Sequence, residues 1–179
     1  MLMGANRSES LAHVKKEILP PDLHYLHAAQ GWIGLGNIPE AEAELKRMKH
    51  RLMSHPDVLE VRWHIDAHKK EWEEAANLAD ALVILEPQRW DGWVHRSFAF
   101  HEMKRTREAF DKLLPAAEMF PEVWTIPYNL ACYCIQLGRI KDGKFWFKKA
   151  VAIDENAALQ SGREDADLKP LWDSMGGKV

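Results

Sequence analysis

The sequence predicts an all-α protein, a solenoid of helix–turn–helix units stacked side by side. Three observations carry this. Ala41, Ala75, Ala109 and Gly143 recur at spacings of 34, 34 and 34 residues, each early in a predicted second helix, in IPEAEAEL, EWEEAANL, TREAFDKL and IKDGKFWF. Pro87 and Pro121 are also 34 apart, and each closes a unit. The stretch Trp124 to Asp154 reads as one such unit. Leu130, Cys134 and Leu137 share one face of a first helix at i, i+4, i+7, Gly138 breaks it, and Phe147, Ala150 and Val151 form the inner face of a second. A fixed period with small residues in phase is the signature of a repeat array, in which each unit hides its apolar face against the next. Numbering from the first unit gives 22–55, 56–89, 90–123 and 124–157.

Residues 1–21 precede the array as an arm. Leu11, Val14 and Ile18 can form a one-sided stripe after a Ser8 or Ser10 cap. Pro20-Pro21 stops the arm and opens the first unit, since proline is accepted in a helix's first turn. The first helix is predicted over about 22–35, Gly36-Asn37 is the turn, and the second helix runs to about His50–Met53. The second unit places Trp63 and Asp66 at its eighth and eleventh positions, with Ala75, Ala76, Ala79 and Ala81 on the facing helix leaving room for an indole. That facing helix is predicted to start near Trp72 and to end before Pro87. The third unit opens with Trp90 and Trp93, puts Phe100 in the aromatic slot and Thr106 at a cap, and ends at Pro121. After the fourth unit, residues 158–179 supply the end cover that an open array needs, with Leu168, Leu171 and Trp172 on one side of a final helix over Ala166–Met175.

Composition bounds the function. Of 179 residues, 46% are hydrophobic and 28% charged, and the net charge is −3, so no broad attraction to nucleic acid or anionic membrane is implied. No window reaches the roughly 18 apolar residues of a spanning helix, and the N-terminus lacks a secretory apolar core. Cys132 and Cys134 point to different faces of one helix, which disfavours a disulfide and makes a cytoplasmic location the expectation. P-loop, GxSxG and HExxH motifs are absent, and GWIGLG does not follow a strand, so no catalytic residues and no cofactor are assigned.

The residues Trp93, Leu130, Ala131, Gly138, Ala41, Ala75, Ala109, Phe147, Ala150, Pro87 and Pro121, in phase over 22–157, resemble the tetratricopeptide repeat family, and the tail is similar to the cap that follows such arrays in bacterial proteins. The resemblance implies a right-handed superhelix whose first helices line a concave groove that binds a peptide or helix of a protein partner. Family members that grip chaperone C-termini carry a clamp of Lys, Asn and Arg. At the corresponding positions this chain has Leu26, Glu60, Val94 and Tyr128, then Gln30, His64, Phe98 and Cys132, and the clamp lysines are missing.

By register the concave face is expected to show Glu60, His64, His68, Val94, Phe98, His101, Tyr128, Cys132, Ile135 and Gln136, an aromatic and histidine lining with little net charge. A short apolar or amphipathic segment suits it, with Phe98 and Tyr128 as anchors, because aromatic side chains often dominate binding energy. The plain alternative is that neighbouring helices or the terminal arm fill this face. His64 and His68 stand at metal-ligand spacing with His101 on the next first helix, but no cysteine or carboxylate completes a clear set, so these three are candidates only and no metal is assigned. Arg62 and Arg96 are 34 apart, and are read as packed stems whose heads meet helix acids such as Asp80 or Glu74 rather than as a carboxylate-gripping ladder. The function expected is non-catalytic protein–protein recognition as an adaptor. Self-association through the tryptophan-rich ends and a histidine-metal hydrolytic site are the alternatives.

Overall fold

The computed structural model describes residues 17–174, and these form helices and turns with no strand among them. The elements are α1 (Asp22–Gly34), α2 (Ile38–Arg47), α3 (Pro56–Lys69), α4 (Trp72–Leu85), α5 (Trp90–Glu102), α6 (Thr106–Leu113), α7 (Ala116–Met119), α8 (Thr125–Gln136), α9 (Ile140–Ile153), α10 (Glu155–Glu164) and α11 (Lys169–Ser174), with 3-10 turns at His50–Leu52 and Ala166–Leu168. The hairpins are α1–α2, α3–α4, α5–α6 and α8–α9. First helices also pack on one another in series, α1 on α3, α3 on α5 and α5 on α8, so they form the inner layer of the stack.

The four hairpin turns are built alike. At Gly36, Lys70, Lys104 and Gly138 the backbone enters the left-handed region, with φ of 73°, 60°, 64° and 75°. The next residue's N–H reaches back five residues, Asn37 to Trp32 O (2.9 Å), Glu71 to Asp66 O (2.9 Å), Arg105 to Phe100 O (2.9 Å) and Arg139 to Cys134 O (2.8 Å). This is the helix-terminating motif that favours glycine, since a side chain in the left-handed region crowds its own carbonyl. Two units meet the requirement with glycine and two with lysine.

Residues in phase at the hairpin crossing are closed to solvent. Ala41, Ala75 and Ala109 have no exposed surface. At the fourth position even a methyl group has no room, because a Cβ on Gly143 would stand 2.8 Å from Ile135 Cγ1 and 3.3 Å from the Ala131 carbonyl oxygen. Ile135 therefore packs toward α9 and is buried, which removes it from the expected concave lining.

Helix α3 serves two cores. Val58, Val61 and Ile65 join Ile18, Leu26, Ala41, Leu45 and Leu52 in the first, while Leu59 and Trp63 join the continuous core that runs to Leu171. Opposite faces of one helix buried against successive neighbours is what stacking requires. Leu11, Val14 and the serines at 8 and 10 lie outside the described residues.

Local differences from the sequence reading have identifiable causes. The third unit's second helix is split after Leu113, because Pro115 lacks an N–H for the helical ladder, and it resumes as α7. Thr106 is the first helical residue rather than the cap. Its hydroxyl meets His101 Nδ1 at 3.0 Å, and Arg105 holds the cap position without a side-chain bond. A further helix that the sequence reading does not assign, α10 over Glu155–Glu164, is started by Asp154, whose carboxylate accepts the Ala157 N–H at 2.9 Å. The final helix begins as a 3-10 turn capped by Asp165 and continues as α11.

Candidate functional site

The inner face of α3, α5 and α8 carries a ladder of positions at the repeat spacing. Glu60, Val94 and Tyr128 occupy one rung, and His64, Phe98 and Cys132 the next. The structure divides this ladder in two.

Over α8 the face is covered by the chain's own segment Asp165–Leu168. The Tyr128 hydroxyl donates to Asp165 Oδ2 at 2.7 Å, and the Cys132 thiol points to the same oxygen at 3.6 Å. Gln136 donates to the Asp167 carbonyl oxygen at 3.3 Å, and His101 Nε2 lies 2.9 Å from Asp167 Oδ2. Asp165 Oδ1 accepts the Asp167 N–H at 2.9 Å, which holds the turn in shape. Leu168 and Leu171 anchor the segment from behind, both fully buried. Trp172 stands edge-on to Phe147 at 5.1 Å and donates to the Gly162 carbonyl oxygen at 2.9 Å. Burial pushes the Tyr128 hydroxyl well above the usual tyrosine range, and the bond to Asp165 raises it further. Burial likewise raises the Cys132 thiol. Of the expected lining, Tyr128, Cys132 and His101 are thus enclosed by the tail, and Gln136 stays exposed while bonded to it. What covers this part of the face is the C-terminal segment.

Between α3 and α5 the face is accessible. Phe98 is 37% exposed, with its ring edge toward Trp72 at 5.7 Å and Trp63 at 6.4 Å. Val94, Glu60 and His64 are half-buried beside it. His68 is exposed, its Nδ1 2.8 Å from the His64 carbonyl oxygen. Trp63 is buried, and its indole stacks flat on His95 at 3.8 Å and 15°. His64 stands at right angles to both, 5.1 Å from Trp63 and 5.2 Å from His95. Burial lowers the His95 imidazole to about 4, reinforced by His64, and also lowers His64 against the opposing pull of Glu60. The His95 ring is uncharged near neutrality.

A guanidinium organises the acids here. Arg89 bridges Asp57 (3.0 Å), Asp91 (2.6 Å) and Glu60, the last through Oε2. Asp91 also accepts the Gly92 N–H at 2.8 Å. Burial would raise Asp91, but Arg89 prevails and holds it below the usual carboxylate range. The lining is therefore not as free of charge as the register reading implied. Arg96 follows the plain expectation, meeting Asp80 at 3.2 Å and the Lys112 carbonyl oxygen at 3.0 Å, while Arg62 donates to the Met53 carbonyl oxygen at 3.2 Å.

The three histidines proposed together from the sequence are not brought together. His101 belongs to the tail contact and His68 points away. It is Glu60, His64 and His95 whose ligand atoms all lie within 4.8 Å of one another. His95 was missed because adjacent inner helices are staggered: it lies 31 residues after His64, about one helical turn short of the repeat. Asp165 and Asp167 were missed too, although two acids at i, i+2 directly before the apolar cap are a signal that the sequence carries.

Hairpins repeating at 34 residues with one shared turn geometry define a tetratricopeptide repeat fold. The chain is similar in structure to TTC0263, a thermophilic TPR protein of Thermus thermophilus, with a TM-score of 0.72 at 17% identity, over 87% of this chain and 84% of that one. It is also similar to PilF of Pseudomonas aeruginosa (0.67, 19%, 88% and 77%). A third similar structure is the MamA protein (0.67, 13%, 87% and 83%). No protein-family profile and no curated relative matches the sequence. No helix among the described residues is long and apolar enough to cross a membrane.

Proposed function

We propose that this protein is a non-catalytic adaptor that binds a peptide or helix of a protein partner on the accessible part of the concave face. Phe98 is the apolar anchor, with Glu60, His64, His68 and Val94 around it. The observation that carries this reading is the chain's own tail. One repeat further on, the same face holds Asp165–Leu168 through side-chain hydrogen bonds from Tyr128 and Gln136 on α8, with His101 of α5 donating beside them. That a short acidic turn lies on this face over α8 supports the binding of a segment beside it. In this reading Tyr128, Cys132, His101 and Gln136 serve the internal segment, and a partner reaches them only by displacing it. Similar tetratricopeptide structures agree with a protein-interaction role in general.

The test is capture from the native lysate by the immobilised chain, with cross-links mapped by mass spectrometry. Phe98→Ala leaves the helical circular dichroism unchanged and lowers capture about tenfold, as loss of an exposed aromatic anchor does. Equal capture by a folded Phe98→Ala variant, with cross-links confined to α4, α6 or α9, contradicts the reading.

A further inference from the structure

We propose that Glu60, His64 and His95 form a binding site for a divalent transition-metal ion, zinc in the first place, between α3 and α5. The site goes beyond the adaptor reading and does not depend on it.

Glu60 and His64 are one turn apart on α3, so both face α5, where His95 projects between them. Two imidazole nitrogens and a carboxylate oxygen are a ligand set that zinc accepts while keeping a fourth position open. The three ligand atoms already lie within 4.8 Å of one another. Tetrahedral zinc with bonds of about 2.0–2.1 Å separates its ligands by about 3.3 Å. The set stands within about 1.5 Å of that spacing.

The surroundings favour a cation in three ways. His95 is held flat against Trp63, which fixes the plane of its ring, and its Nε2 is buried without a hydrogen-bond partner. A metal bound through that nitrogen would satisfy it, which packing alone does not. Arg89 engages Glu60 through Oε2, so the other carboxylate oxygen remains for a metal. Two carboxylates, those of Glu60 and Asp91, share one guanidinium, which leaves negative charge beside the two rings. His68 cannot replace His95, since it is exposed and turned to the His64 backbone.

Titration of the full chain with zinc chloride by calorimetry tests the site. The expected result is one saturable site of micromolar or tighter affinity. His95→Phe, which keeps a ring against Trp63, and His64→Gln each weaken it about 100-fold, while His68→Ala leaves it unchanged. Cobalt(II) gives the visible absorption of tetrahedral coordination in the native chain and not in either variant. Absence of saturable heat in the native chain, retention of binding in folded His95→Phe and His64→Gln, or loss of binding in His68→Ala overturns the proposal.

Discussion

Phe98 and Cys132 occupy the same register of neighbouring inner helices, yet Phe98 is 37% exposed and Cys132 is 4% exposed. Glu60 and Tyr128 differ in the same way, the first bridged to Arg89 at a half-open surface and the second buried under Asp165. Nothing in the repeat itself separates these rungs. The difference comes from outside it, from a tail of two acids and two leucines that folds back onto α8. Where that tail reaches, the lining consists of donors matched to Asp165 and Asp167. Beyond it the lining is aromatic, with histidines and a cluster of acids around one arginine. A repeat array thus offers a series of equivalent positions, and the flanking segment decides which of them remain available.

The contrast can be broken most sharply from behind the tail. Leu168→Ala removes a fully buried anchor and is expected to cost about 2–5 kcal/mol in urea unfolding. The same change makes the Cys132 thiol reactive in the native state and leaves the α3–α5 face as it was. Tyr128→Phe removes a hydrogen bond to a carboxylate, a loss of about 1.5–3 kcal/mol. It also changes the alkaline limb of stability. The folded hydroxyl titrates above its unfolded value, so its contribution is complete below about pH 10 and declines above it, as the unfolded chain ionises. Tyr128→Phe loses this part of the decline, which chemical denaturation across pH 8–11 (an approximate window) measures. On the open side, Arg89→Ala removes the guanidinium shared by Glu60 and Asp91 and costs about 1–2 kcal/mol, less at high salt because the group is partly solvated. The smallest effect is a gain. Lys70→Gly and Lys104→Gly relieve left-handed backbone and each stabilise by about 0.5–1 kcal/mol, with no effect on either half of the face.

The fold was legible because its determinants are local and periodic. Small residues at Ala41, Ala75, Ala109 and Gly143 are required wherever two helices cross closely, and they recur in phase. The split at Pro115 was equally visible in principle, but the period drew the third second helix straight through it. The site was less legible, for two physical reasons. Pairs across inner helices are staggered, so His64 finds His95 and not a residue at the repeat spacing. The tail's path depends on Leu168 and Leu171 finding a pocket far away in sequence, which no local pattern encodes. Register alone therefore gave Tyr128 and Phe98 equal standing as anchors, although one is under the tail and the other is accessible.

Thiol labelling tests the division of this face most directly. A Phe98→Cys variant supplies a reporter on the accessible half, and Cys132 is the natural reporter under the tail, with mass spectrometry assigning each modified site. In native buffer the account predicts rapid labelling at position 98 and labelling at Cys132 slower by roughly a hundredfold or more, limited by opening of the tail. Cys132 labelling as fast as position 98 in the folded protein would contradict it, because the tail would then not lie on α8.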